Sequence, residues 1–294
     1  MEEVQIFWDP NGIELNSLNK KTISGDPADG DSPYIRMPIR MLGIDTPETR
    51  YGGLAATGNR KLSELADFLK SGKFDAAVNT DLKNYLIPKI ENNAGTLQIN
   101  QGLKAKEYFK NLLDTRLRKP NGSKRSLFVK SADQYFDSYG RLLAYVAPSF
   151  SKTELVNLTP EEKKTFNLLM IESGWAATIM IYPNLPKNSD LRLTIDHAKI
   201  AYEERLGAWA DVNMLTGYEY RMCIKLYQAC KNAKASEGYY INPKDWIGRF
   251  CLDVTTLKIY NPQEYIKVPP YNRLFIWASD VRKAVGELNL IAAE

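Results

Sequence analysis

Ile39-Arg40-Met41-Leu42-Gly43-Ile44-Asp45-Thr46-Pro47-Glu48-Thr49 is the stretch around which the chain is organised. Its first half predicts a buried strand, because Ile39, Met41, Leu42 and Ile44 are apolar and no breaker precedes Gly43. Its second half predicts a site. Asp45 and Glu48 put two carboxylates at the strand end, Thr46 adds a hydroxyl, and Pro47 turns the chain between them. Arg40 lies inside the apolar run, where a guanidinium gives up water only if something anionic meets it. A strand that carries an arginine and ends in acids suits a metal and a phosphate.

A second stretch answers the first: Asp137-Ser138-Tyr139-Gly140-Arg141-Leu142-Leu143-Ala144-Tyr145-Val146. Here a turn delivers another arginine to the start of another apolar strand. Residues of these types can act on a phosphodiester, whose transition state spreads negative charge over its equatorial oxygens. Arg40 and Arg141 offer planar, permanently charged forks that fit two such oxygens. The Asp45 carboxylate and the neighbouring Thr46 carbonyl are oxygens of the kind a hard ion such as Ca²⁺ takes. Glu48, past the turn, can hold or activate a water. Taken singly, each residue is as well read as a turn cap or an ion pair. Together the four supply the charge, the metal oxygens and the water-holding group that such a reaction needs.

The two stretches resemble the staphylococcal nuclease (thermonuclease) family, whose signatures are an R-x-x-G-I-D-x-P-E strand end and a D-x-Y-G-R-x-L-A strand start. The resemblance implies an α+β fold: a five-stranded OB-type β-barrel with helices around it. It implies a Ca²⁺-dependent endonuclease of low sequence specificity that hydrolyses DNA and RNA to 3′-phosphate ends. It implies Arg40, Glu48 and Arg141 as catalytic residues, with Asp45 and Thr46 on the metal. Tyr139 matches a tyrosine on a terminal phosphate, and Tyr182 one that stacks near the base. Ser138 and Met180 replace a lysine and a tyrosine usual in the family, which bears on nucleotide affinity rather than on the chemistry. A second metal carboxylate is required. Asp31 is the first choice, from Asp29-Gly30-Asp31-Ser32, with Asp29 next and the Asn11 turn third. The alternative reading is a nucleic-acid-binding module, non-catalytic or weakly active, regulated through the C-terminal extension.

The resemblance covers residues 1–212, apart from an insertion at about 51–98 whose periodicity predicts helices over 60–70 and 81–90. Within it, helices are predicted over 102–113, 166–173 and 190–206, and a hairpin over 126–132 and 141–147. The first strands are predicted at 4–8 and 13–15, about the turn Asp9-Pro10-Asn11-Gly12. Residues 213–294 form an α+β extension of unknown role, with a helix over 218–233, strand-like runs and a last helix. Its many aromatics read as core more than as a nucleic-acid surface. Because the matched catalytic positions all precede Asp211, the extension reads as separable from the chemistry and as a candidate docking surface for a protein partner.

Composition sets wide limits. Lys and Arg number 39 against 35 for Asp and Glu, a net charge of +4 that permits a polyanionic partner without requiring one. The basic connection from Arg116 to Arg125 reads as solvated first and as a phosphate contact second. Cys223, Cys230 and Cys251 include no CxxC pair, which argues against a zinc site and reads as small buried hydrophobes. The single histidine, His197, reads as helix surface. No run approaches a membrane span. The N-terminus lacks a basic stretch followed by an apolar core, so the expectation is a cytoplasmic protein, or an exported one whose leader is missing from this sequence.

Overall fold

A computed structural model of the chain describes residues 21–236 and 238–292. The strands expected before residue 16, and with them Asn11, lie outside the described residues. The chain divides into two compact units, Met1–Arg40 with Ser131–Ala144, and Met41–Lys130 with Tyr145–Glu294.

The first unit carries a small antiparallel pair, β1 (Thr22–Ile23) and β2 (Ile35–Arg36), joined by the turn-rich loop that holds Asp29 and Asp31. The organising stretch leaves this unit as β3 (Ile39–Met41) and enters the second as β4 (Gly43–Asp45). Sequence periodicity reads these as one strand. Gly43 divides them, with φ 72°, and a Cβ there would lie 3.1 Å from the Met180 methyl carbon. A residue without a side chain permits both the left-handed backbone and the close approach, so the run changes pairing partners at that point.

Three helices follow: α1 (Ala55–Lys70), α2 (Thr80–Ile90) and α3 (Ala94–Arg116). Leu62, Leu65, Ala66 and Leu69 recur at helical spacing on α1 and are all buried. Next come the hairpin strands β5 (Leu127–Phe136) and β6 (Leu142–Pro148), then α4 (Lys152–Asn157), α5 (Phe166–Glu172), β7 (Ala177–Ile181) and α6 (Asn188–Glu203). The last stretch supplies α7 (Gly217–Ala235), β8 (Arg249–Asp253), β9 (Lys258–Tyr260), β10 (Arg273–Trp277), α8 (Val281–Leu288) and β11 (Ile291–Ala292).

The α+β class is as expected. The strands make a two-stranded sheet, a three-stranded sheet in the order β3-β6-β5, and a six-stranded sheet in the order β11-β9-β8-β10-β7-β4. Among the described residues these strand orders do not close into a barrel, and the strands expected at 4–8 and 13–15 lie outside them. In the six-stranded sheet, β7 pairs antiparallel with β4, with Asp45 opposite Ala177, and parallel with β10, with Phe275 opposite Ile181. Strands of the C-terminal stretch therefore extend the sheet that carries the acid turn.

The main core explains this arrangement. It joins Leu62, Leu65, Phe74, Leu82 and Leu86 of the insertion to Tyr220, Cys223, Leu226, Tyr227, Tyr265 and Phe275 of the extension. Neither segment buries its apolar face alone, and the two do so against each other. Tyr227 of α7 stacks on Phe68 of α1, and its hydroxyl donates to Glu64 at 2.8 Å. All three cysteines are free and buried, and of the C-terminal aromatics Tyr220, Tyr227, Trp246, Tyr265 and Phe275 are buried while Tyr240 and Trp277 are exposed. Among the described residues no helix is long and apolar enough to cross a membrane.

Candidate active site

The acid turn is held from two sides by backbone approach. Asp45 ends β4 at 1% exposure. On α3, a Cβ at Gly102 would sit 2.6 Å from the Glu48 carbonyl oxygen and 2.8 Å from that of Pro47. On α7, a Cβ at Gly217 would sit 2.6 Å from the Thr46 carbonyl oxygen and 2.8 Å from Asp45 Oδ2. Only glycine allows two helices to pack this closely on one turn. With its side-chain amide oriented to suit both neighbours, Gln98 of α3 accepts from the Glu48 N–H at 2.8 Å and donates to the Leu215 carbonyl at 3.0 Å.

One turn into α7, Arg221 reaches back over the acids. Its Nη2 donates to Asp45 Oδ1 at 3.0 Å and to Oδ2 at 3.1 Å, and its Nη1 donates to Glu48 Oε1. Burial alone would lower the guanidinium's pKa. The charges of Asp45 and Glu48 outweigh burial and raise it. α7 is placed by a capping box, in which Glu219 Oε2 accepts from the Thr216 N–H at 2.9 Å and Thr216 Oγ1 accepts from the Glu219 N–H at 3.2 Å. The other oxygen of Glu219 accepts from Arg273 at 3.2 Å and from the Tyr85 hydroxyl at 2.7 Å. Burial would raise the Glu219 carboxyl. Arg273 and these donors hold it below the ordinary value instead.

Arg40 and Arg141 belong to the first unit. Arg40 is partly buried on β3. Arg141 is fixed by its own turn: its N–H donates to Asp137 Oδ1 at 3.0 Å, its Nε donates to Oδ2 at 2.7 Å, and the Tyr139 N–H donates to Oδ1 at 2.9 Å. Against the upward pull of burial, these bonds depress the Asp137 carboxyl. Tyr139 is 78% exposed, with the Arg141 guanidinium 5.3 Å from its ring centre, so it stands at the surface.

The remaining expectations fare differently. Tyr182, expected to stack on a base, is buried in a core with Met180, Leu252 and Leu274, and its hydroxyl donates to Glu287 of α8. That bond, with some burial, pushes its pKa up to about 12. The ring presents no stacking face in this arrangement, because the extension packs over it. Asp31 is exposed in the first unit, where its Oδ1 accepts from Ser32 at 3.2 Å and its N–H donates to Asp29 at 3.4 Å. Among the described residues no three His, Cys, Asp or Glu side chains gather as a metal would require. In the basic connection, Arg125 is bound to Glu154 and Lys124 to Asp114. The extension, expected to stand apart from the chemistry, supplies Arg221 to both acids of the turn.

Arg221 is the residue that sequence reasoning missed, yet a signal is present. It sits within Tyr220-Arg221-Met222-Cys223-Ile224, an arginine in an apolar run, which is the feature that singled out Arg40. No curated protein matches the chain. The family model described as staphylococcal nuclease homologue matches residues 38–211, a span that contains Arg40, Asp45, Glu48, Tyr139, Arg141 and Tyr182 and stops short of Arg221. The match takes in more than half of the 294 residues, and the chain belongs to the staphylococcal nuclease homologue family.

Proposed function

We propose that this chain hydrolyses phosphodiester bonds in nucleic acid, as an endonuclease of low sequence specificity on DNA and RNA that leaves 3′-phosphate ends. The observation that carries the reading is the family match over residues 38–211, with Arg40, Asp45, Glu48 and Arg141 at the motif positions. In this reading Arg40 and Arg141 bind the scissile phosphate and stabilise the charge that develops on its oxygens. Asp137 supports the role of Arg141 by holding its guanidinium in one orientation before substrate arrives. Glu48 orients the attacking water, and Tyr139 meets the terminal phosphate.

The resemblance implies Ca²⁺ on Asp45, the Thr46 carbonyl and a second acid, Asp31. In the arrangement described above these oxygens do not fit the ion. Both oxygens of Asp45 meet Arg221, and the Thr46 carbonyl is covered by Gly217.

The test is incubation of the full chain with single- and double-stranded DNA and RNA, with Ca²⁺ and with chelator. Shortened products bearing 3′-phosphate in either condition are the expected result. Arg141→Lys then slows cleavage by about 2–4 kcal/mol in the barrier, because a point charge cannot replace a fork fitted to two oxygens. The Arg221 contact favours a second reading, a nucleic-acid-binding module whose acids are already committed. Absence of product in both conditions, with salt-dependent binding of a labelled oligonucleotide, would replace the first reading by the second.

A further inference from the structure

The contacts of Arg221 go beyond an ordinary ion pair. The guanidinium lies between two carboxylates that belong to one turn and bonds both of them. Asp45 is almost fully buried and the Arg221 side chain is 24% exposed. Bridging two carboxylates and fixing their relative orientation is what a divalent cation does at an acid turn. Ca²⁺ would require six to eight oxygens at about 2.3–2.6 Å, and the oxygens of this turn are directed at nitrogen.

The helix that carries Arg221 reinforces the arrangement. Gly217 opens α7 against the Thr46 carbonyl and Asp45 Oδ2, so the positive end of a 19-residue helix also faces this carboxylate. Gly217 and Arg221 are four residues apart and lie on one face of α7. The glycine lets the helix come close, and the arginine uses that approach. Both residues fall beyond residue 211, where the family match ends.

We propose that Arg221 is the resident cation of the acid turn: its guanidinium fills the position a divalent metal would take, and the folded chain holds Asp45 and Glu48 together without one. The inference does not rest on the hydrolytic reading. A chain that binds nucleic acid without cutting it would have the same turn.

The test is calorimetric titration of the full chain with Ca²⁺, together with thermal unfolding in Ca²⁺ and in chelator. Wild-type protein is expected to show no saturable Ca²⁺ binding that depends on Asp45 or Glu48, and the same Tm in both buffers. Arg221→Gln is expected to lower Tm in chelator by roughly 5 °C or more, since two carboxylates lose their shared partner. In this variant Ca²⁺ is expected to bind saturably and restore part of the loss. The double variant Arg221→Gln/Asp45→Asn is expected to lose that Ca²⁺ response.

Saturable Ca²⁺ binding by the wild-type protein that Glu48→Gln abolishes would overturn the proposal. So would a folded Arg221→Gln protein that stays silent to Ca²⁺. If Arg221→Gln does not fold, the wild-type and Glu48→Gln titrations decide alone. Loss of cleavage in every condition strikes the hydrolytic reading and leaves this one standing.

Discussion

Two arginines hold carboxylates in this protein, and they do so over very different distances along the chain. Arg141 meets Asp137 four residues away, inside one turn, with side chains 38% and 17% exposed. Arg221 meets Asp45 across 176 residues and Glu48 across 173, and Asp45 is 1% exposed. The first pair needs only its own turn. The Asp137 oxygens gather the N–H groups of Tyr139 and Arg141 together with the guanidinium, so the turn is nearly complete before the rest of the chain arrives. The second pair exists only when α7 is packed on α1 and on the acid turn. A local pair is solvated and individually weak. A distant buried pair is a consequence of the whole core, and its loss leaves charges without water.

The largest effect that would test this contrast is removal of the distant partner with its helix. A chain ending at Val212 lacks α7 and the strands that cover Leu62, Leu65 and Leu82. It is expected to lose cooperative unfolding in urea, read by circular dichroism and near-ultraviolet fluorescence. A truncated chain with a native-like transition would show that insertion and extension do not share one core.

Next in size is Arg221→Gln in the full chain. Removing the guanidinium from the buried Asp45 carboxylate is expected to lower stability by about 3–5 kcal/mol. Adding Asp45→Asn should recover part of it, so the double-mutant cycle in urea reports strong coupling. Additive losses would mean that the pair is no more than a surface contact.

Gly102→Ala comes third. A methyl group 2.6 Å from the Glu48 carbonyl must push α3 or the turn aside, an overpacking expected at about 1–3 kcal/mol. An unchanged urea midpoint would mean that the turn yields freely.

The smallest effect is Asp137→Asn, expected at about 0.5–1 kcal/mol, because an amide oxygen still accepts from both backbone N–H groups. Its pH dependence is the sharper readout. The folded carboxyl lies below its ordinary value of 3.8, so the unfolded chain binds the proton more readily and the stabilisation is complete only above that value. The wild-type advantage over Asp137→Asn should hold from neutral pH to about 5 and fade as pH falls through 3.8 toward the depressed folded value. An advantage that stays at its full neutral-pH size down to pH 2 would remove the ion pair as its source.

Much of the fold was legible because its signals are local. Apolar spacing on α1 and α7 and the hairpin that carries Arg141 need no partner to be read. Periodicity makes one strand of Ile39 to Asp45, whereas Gly43 splits it with a left-handed backbone at a point where Met180 leaves little room for a side chain. Tyr182 shows the same limit from the other side. Its place in a motif pointed to a base-stacking surface, while the covering strands and Glu287 come from residues with no counterpart in that motif.

By itself the sequence determined the family, the two motif turns, the residue types able to meet a phosphate, and the internal geometry of the Arg141 turn, because these depend on neighbours within a few residues. Tertiary structure alone decided that the insertion and the extension form one core, that Tyr182 is interior, and that Arg221 lies on Asp45 and Glu48. Those outcomes bring together groups more than a hundred residues apart, and a contact of that range is set by which apolar faces bury each other rather than by any local pattern.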